Sequence, residues 1–386
     1  MKKILIVNNN LDMGGIQKSL INLLKSQHHS YDITLLLFSQ SGALLSQVPA
    51  GVKVISPNTS YKMLGLGREE LKKFPLLFAF KAFLMKFASV FSRRKAMRIL
   101  GLFQRKIKGY DTVISFSHLT NSNIFANGCG DFVLDKTECN NKVCLIHCDY
   151  LNSGFMSEQN NEEYDEFDKI ACCSDSVRMR FIQGSRINED KVYCLRNFFD
   201  VDIKNVSEKD TEHYDAGYIN IVSVARLSSE KGIDRAIEAM FNVHRDDIRY
   251  YIVGDGPERN LLQEKVNEYN LSNNVFFLGE QKNPYKYMSE ADYLLVPSRH
   301  EAAPIVFDEA KVLGVPVITT NTTSAEEMVG MYGGYVCENT PEGIEGVIAK
   351  IQKATLKIPV PVDNKVQCNQ FAELNNKSER RNQIDR

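Results

Sequence analysis

The chain has 386 residues, 43% of them hydrophobic and 25% charged, with a formal net charge of −1 at pH 7. That composition belongs to a globular chain with room for two domains of roughly 150–200 residues each, and the near-neutral balance argues against a binder of polyanions over the whole surface. Nine cysteines without regular spacing, two of them adjacent at Cys172 and Cys173, make no secreted disulfide framework and suit a reducing cytoplasm.

The opening stretch, MKKILIVNNN, has an apolar run too short for a signal-peptide core and no small-residue cleavage site after it, so it reads as a first strand, Lys3–Asn8. Gly14 and Gly15 follow in VNNNLDMGGIQKSLINLL, between that strand and a helix. Lacking Cβ atoms, they let a ligand approach backbone amides at a helix N-terminus, although an ordinary glycine turn has the same appearance. Further strands are predicted at Ile33–Phe38, Thr112–Phe116, Val143–His147, Lys169–Cys173 and Val192–Leu195. Between Ile33–Phe38 and Thr112–Phe116 the pattern breaks. Residues 61–108 hold thirteen Lys or Arg against Glu69 and Glu70, a net +11 that leaves −12 for the remainder of the chain. Interleaved with these charges is FPLLFAFKAFLMKFASVF, where Lys81 and Lys86 interrupt the apolar run and disfavour a spanning helix. A basic helix with bulky apolar residues fits the interface of an anionic membrane. Ordinary helices with solvated basic faces are the alternative, and no known motif supports nucleic acid.

His147 ends the strand in KVCLIHCDY, a placement unlike that of a core histidine, with His118 in ISFSHLT as its competitor. Cys144, Cys148 and His147 match no common metal-site spacing. RNFFD, residues 196–200, follows the last of these strands. Residues 201–217 are polar and without periodicity, which predicts a linker between a domain of residues 1–200 and one of residues 218–372; residues 373–386 read as a polar tail.

Beyond residue 217, β-branched runs (Asn220–Leu227, Tyr250–Gly254, Asn274–Leu278, Tyr293–Pro297, Pro316–Thr320) alternate with stretches of helical period such as GIDRAIEAMFNV and ERNLLQEKVNEY. Repeated βα units predict an α/β fold of doubly wound, Rossmann-like parallel sheets, with ligands beyond the carboxyl ends of the strands. The dinucleotide fingerprint fails in VGDGPERN, because Arg259 occupies the third glycine position. In PSRHEAAPIVFDEAKVLGVPVITT, Pro304 suits a helix start and Gly314 with Pro316 its end, which puts Glu301 on the entering loop and Glu309 inside a helix over 304–313. The amides near Ile305 and Val306 would receive an anion. Five residues of helix from Pro304 to Glu309 span roughly 7.5 Å, so the two carboxylates suit opposite ends of one long ligand better than a shared proton.

Here RHEAAPIVFDEA resembles the Glu-x7-Glu motif of retaining glycosyltransferases with the GT-B fold, glycosyltransferase family 4 in particular. VSVARLSSEKGIDRAIEA, YYIVGDGPERNLL, VFFLGE and MSEADYLLVPS precede it in the order of that family. The resemblance implies two Rossmann-like domains facing across a cleft and transfer of a hexose from a nucleotide diphosphate sugar, UDP-linked, with retention and without a metal or other cofactor. It assigns Glu301 to the donor sugar, Glu309 to the ribose, and Arg226 and Lys231 to the diphosphate, whose developing charge two cations stabilise. Ile305 and Val306 would meet the donor through their amides, Gly14 and Gly15 would line the site, and His147 resembles the family's active-site histidine. With the basic-apolar segment, it further implies a lipid-linked saccharide acceptor of capsule or O-antigen assembly and a peripheral place on the inner face of the plasma membrane. An epimerase of the same fold, or a non-catalytic scaffold, are the rival readings. One departure is Ala302, where the family has glycine.

Overall fold

The computed structural model describes residues 1–200, 202–203, 214–330, 334–354 and 362–376. It divides into two compact units, one of residues 1–198 with the chain from 364 onward, the other of residues 199–363. Strands β1 Lys3–Asn8, β2 Asp32–Leu37, β3 Lys53–Ile55, β4 Thr112–Ser115, β5 Lys142–Ile146, β6 Lys169–Cys172 and β7 Val192–Cys194 form the first sheet, in the order β3-β2-β1-β4-β5-β6-β7. Every pairing in it is parallel. The second unit holds β8 Ile219–Val224, β9 Ile248–Val253, β10 Val275–Gly279, β11 Tyr293–Val296, β12 Val317–Thr320 and β13 Tyr335–Cys337, again parallel, in the order β10-β9-β8-β11-β12-β13. Each order reverses at its first strand, so each sheet has a switch point, β1/β4 in one and β8/β11 in the other. The helices include α1 Gly15–Gln27, α2 Pro75–Val90, α3 Arg93–Leu100, α4 Ile233–Val243, α5 Ile305–Leu313 and α6 Lys365–Asn375.

Alternation explains the second sheet's two cores. Ile221, Tyr250, Ile252, Leu295 and Ile318 enter one cluster, and their neighbours Val222, Val253, Leu294, Val296 and Val317 enter another. Helix α4 lays Ile233, Ala236, Ile237 and Met240 on the first of these, the i, i+3, i+4, i+7 stripe of an amphipathic helix. Both sheets are thus the doubly wound parallel type that the sequence predicts. The edge strands β3 and β13 are absent from that prediction. At three residues each and partly exposed, they carry no buried apolar run to reveal them.

Two expectations need correction. The C-terminal domain was expected to run to residue 372, but α6 belongs to the first unit. Phe371 and Leu374 are fully buried in that unit's core. The last turn of α6 is captured by Lys169 Nζ, which donates to the carbonyls of Glu373 at 2.8 Å and Asn376 at 2.7 Å, and by Lys2 Nζ on the Asn375 carbonyl at 2.9 Å. Residues 373–375 therefore finish a helix, while 377–386 and most of the expected linker, 201 and 204–213, lie outside the described residues.

The second correction concerns the basic segment, whose cations do not all face outward. Arg93 is fully buried and pairs with Asp131 at 3.0 Å and with Glu163, and it also donates to the Asn160 side chain at 3.2 Å. Arg94 pairs with Asp135 and Glu166, Arg98 with Asp135, and Lys108 with Glu138. Part of the +11 is thus neutralised within the unit. Helix α2 differs from this. Only Leu84 and Ala88 of it are buried, whereas Leu76, Phe83, Met85 and Val90 are all at least half exposed. Among the described residues no helix is long and apolar enough to cross a membrane.

Replacing Arg93 by Met leaves two buried carboxylates without their cation and should cost about 3–5 kcal/mol, whereas Arg98→Gln, with its side chain 58% exposed beside Asp135, should cost under about 1 kcal/mol. Urea unfolding of the two variants beside the parent checks the difference; similar midpoints would refute the buried-network account.

Candidate active site

The switch point of the second sheet brings together residues that are 70 positions apart. Strand β8 ends at Val224, and the chain turns through Ala225–Ser228 and a short 3-10 turn, Ser229–Lys231, into α4. Its neighbour β11 ends at Val296 and passes through the Pro297–Ala303 loop into α5. Lys231 Nζ and Glu301 Oε1 meet there at 2.6 Å, both side chains mostly covered. Ser298 Oγ donates to the same carboxylate oxygen at 2.9 Å.

A clamp that sequence reasoning missed fixes this pair. Arg299 holds Asp234 with two parallel bonds of 2.9 and 2.7 Å and reaches back to the Ser229 carbonyl at 2.6 Å. Against the effect of burial, the Arg299 guanidinium keeps the Asp234 carboxyl below the usual carboxylate range. Arg235 donates to the Pro297 carbonyl at 2.5 Å and to Asn339 Oδ1 at 2.9 Å, and Asn339 Nδ2 donates to the Arg299 carbonyl at 2.9 Å. Gly232 permits the approach, since a Cβ there would lie 2.1 Å from the Pro297 oxygen, and its φ of +65° disfavours other residues. Asp234 and Arg235 stand beside Lys231 in KGIDRA; two charges flanking a helix start were the available signal.

The glycines of VGDGPERN serve the same loop. A Cβ on Gly254 would meet the Ala225 oxygen at 1.9 Å, and one on Gly256 the Leu227 oxygen at 2.3 Å. The Leu227 amide donates to the Asp255 carbonyl at 2.9 Å, and the Glu258 amide to the Leu227 carbonyl at 3.1 Å. The segment carrying Arg226 is thereby pinned while Arg226 itself stays exposed. Helix α5 starts after Pro304, which supplies no side-chain cap, so Ile305 and Val306 bring their amides to the helix start as expected. Ala302 and Ala303 precede them, half-buried. Glu309 is 4% exposed, and its Oε1 accepts from the Tyr285 hydroxyl at 3.2 Å. Burial, then the Glu309 charge, push the Tyr285 hydroxyl far up, so it remains a donor.

In the first unit Gly14 is the N-cap residue of α1, with no side-chain cap and no acidic residue in the first turn. The structure gives Gly15 no internal reason to be glycine, since a Cβ there meets nothing within 4 Å. His118 and His147 follow the adjacent strands β4 and β5. Burial lowers His118 to about 4; burial and then the neighbouring His118 lower His147 to about 3. Both rings are therefore neutral at pH 7, and His118 Nδ1 and His147 Nε2 are buried without a hydrogen-bond partner among the described residues. Neutral imidazoles can donate or accept a hydrogen bond but supply no positive charge. Asn197 is a brace: it accepts from Ser19 Oγ at 2.7 Å, and its carbonyl accepts from Gln367 at 3.2 Å.

Compared with known structures, the chain has the GT-B fold. Anabaena HepE in complex with UDP and glucose superposes with a TM-score of 0.65 at 19% identity, over 97% of each chain. Residues 207–358 match the family described as Glycosyl transferases group 1, a range that falls within the second unit. The chain is 37% identical over 99 residues to the O-antigen biosynthesis glycosyltransferase WclY of Escherichia coli, covering 26% of this chain and 28% of that protein. It is 29% identical over 150 residues to the Campylobacter jejuni N-acetylgalactosamine-N,N'-diacetylbacillosaminyl-diphospho-undecaprenol 4-alpha-N-acetylgalactosaminyltransferase, covering 39% and 40%. The aligned part spans roughly a third of the length of these curated relatives.

Gly232→Ala should separate the two loops and lower the melting temperature of the second unit by several degrees, about 2–4 °C per kcal/mol lost in a unit of this size. Gly15→Ala, with open space around it and a helix start to stiffen, should hold or raise it. Differential scanning calorimetry of both variants decides; a Gly232→Ala protein as stable as its parent would contradict the close approach.

Proposed function

We propose that the protein is a retaining glycosyltransferase that moves a hexose from a nucleotide diphosphate sugar to a lipid-linked saccharide acceptor in capsule- or O-antigen-type polysaccharide synthesis. The observation that carries this reading is the Lys231–Glu301 pair at the β8/β11 switch point, within the matched domain. When the glycosidic bond breaks, negative charge collects on the departing diphosphate. Lys231, the exposed Arg226 and the amides of Ile305 and Val306 are groups that stabilise it. Glu301, already placed by Lys231 and Ser298, accepts hydroxyls of the sugar; Glu309 is assigned to the ribose. His147, which the family resemblance assigns to the active site, is neutral, and its buried Nε2 has no hydrogen-bond partner among the described residues. No nucleophile is assigned, so the leaving diphosphate assists attack on the same face of the sugar. HepE with UDP and glucose, and the diphospho-undecaprenol named in the Campylobacter relative, support the donor and acceptor classes.

Membrane association belongs to the same proposal. Helix α2 exposes a run of phenylalanine, leucine and methionine, while Lys86, Lys95, Arg105 and Lys106 stand exposed on it or in the segment that follows. An anionic inner leaflet suits both features.

Purified protein offered a panel of nucleotide sugars, with and without membrane lipid extract, should release nucleoside diphosphate. Glu301→Gln, Lys231→Ala and Arg226→Ala should each lower turnover by about 10²-fold or more. No release from any donor, or release unaffected by these changes, would remove the enzyme reading. For the membrane, flotation with vesicles containing anionic lipid should fall strongly when Leu76, Phe83 and Val90 become Ser and Lys86, Lys95, Arg105 and Lys106 become Gln. Arg93 and Arg94 are kept because they hold the fold, and equal flotation of parent and variant would refute the claim.

A further inference from the structure

The first unit contains a cavity of about 500 Å³ beyond the carboxyl ends of β2 and β3, where the chain enters the basic segment. Lys62, Glu70, Lys73 and Phe74 line it from the helical side, and Gln40 and Ser56 from the strand ends. Its size is that of a site for a molecule of one or two sugar rings with a phosphate group. Gln40 Nε2 donates to Ser56 Oγ at 3.2 Å. Lys62 and Lys73 are both exposed, and among the described residues neither is paired with a carboxylate. Lys62 Nζ lies over the Phe74 ring, 5.2 Å from its centroid. Two ammonium groups without a carboxylate partner beside one cavity favour an anion, and Glu70, also on its lining, is an acceptor for hydroxyls. Phe74 is also the residue directly before α2, whose exposed Leu76 and Phe78 continue the apolar surface away from the cavity wall. Lys81 Nζ donates to the Met63 carbonyl at 2.8 Å and ties α2 to the turn that carries Lys62.

We propose that this cavity binds the phosphate-bearing head of an amphipathic acceptor, with Lys62 and Lys73 on the phosphate and the apolar chain leaving along Phe74 and the exposed face of α2. The proposal rests on the reading of the protein as a transferase to a lipid-linked acceptor, and names the place where that acceptor sits.

Farnesyl diphosphate, kept below its micelle concentration, serves as the probe and is titrated calorimetrically into the full chain without donor. Farnesol and inorganic diphosphate are run beside it. The parent should bind farnesyl diphosphate at least tenfold more tightly than either, and Lys62→Gln/Lys73→Gln should lose at least tenfold while melting at the parent's temperature. Binding by the double variant within twofold of the parent overturns the site. So does inorganic diphosphate binding as tightly as farnesyl diphosphate, which would mark a site for a free anion. Nucleoside diphosphate release from donor alone should be the same in parent and double variant. If no donor turns over yet lysine-dependent probe binding persists, the transferase reading fails and the site stands; if donors turn over and the probe ignores the lysines, the site fails and the reading stands.

Discussion

The contact between Lys231 and Glu301 is possible only because two neighbouring parallel strands deliver their loops to the same sheet edge. Neither loop would keep its shape alone. Lysine carries a flexible stem and a strongly hydrated head, so an isolated lysine–carboxylate pair at a surface contributes little. Here the backbone is fixed first. Arg299 bridges Asp234 and the Ser229 carbonyl, Arg235 reaches the Pro297 carbonyl, and Gly232 admits the closest approach. The ion pair then forms between groups whose main chains are already set. Under the proposed function this matters because a diphosphate bound at Lys231 meets an ammonium group that costs little further ordering.

The two units offer different chemistry. The second supplies fixed charges of both signs and helix-start amides. At the ends of β1, β4 and β5 the first supplies neutral groups: a helix start at Gly14 without a side-chain cap, and two imidazoles that burial keeps unprotonated. A neutral histidine with an open ring nitrogen suits a hydroxyl-bearing ligand, since it can donate to or accept from an alcohol without drawing in a counter-charge.

Much of the fold was legible because parallel strands buried on both faces are continuous apolar runs, as in KILIVN and YLLV. The short edge strands were not, for want of such a run. The site was legible as residue types at strand ends, but not as contacts. Glu301 and Glu309 read as a pair in the sequence. Spatially each has its own partners, Lys231 and Ser298 for one and Tyr285 for the other, because α5 carries the second carboxylate into a buried position. Asp234, Arg235, Arg299 and Asn339 were hidden for a different reason: their role depends on three segments distant in sequence meeting, which no local spacing encodes. The return of α6 to the first unit was equally invisible, as its interactions with Lys169 and Lys2 span most of the chain.

The basic segment is where a charge count misled most, and side-chain chemistry explains how its charges divide. Arg93 and Arg94 turn inward because a guanidinium presents five donors in a plane and is weakly hydrated, so one buried arginine can satisfy several carboxylate and amide oxygens at once. An ammonium group cannot do this cheaply. Lys81 shows the cost, because burial lowers its proton affinity even with the Met63 carbonyl as acceptor. Lys62, Lys73, Lys86 and Lys95 accordingly remain in water. The inward arginines tie α3 to Asp131, Asp135, Glu163 and Glu166, while α2 leaves bulky apolar side chains exposed. A surface of that kind is stable in place and unfavourable in water. Contact with lipid would relieve that condition without any change in fold.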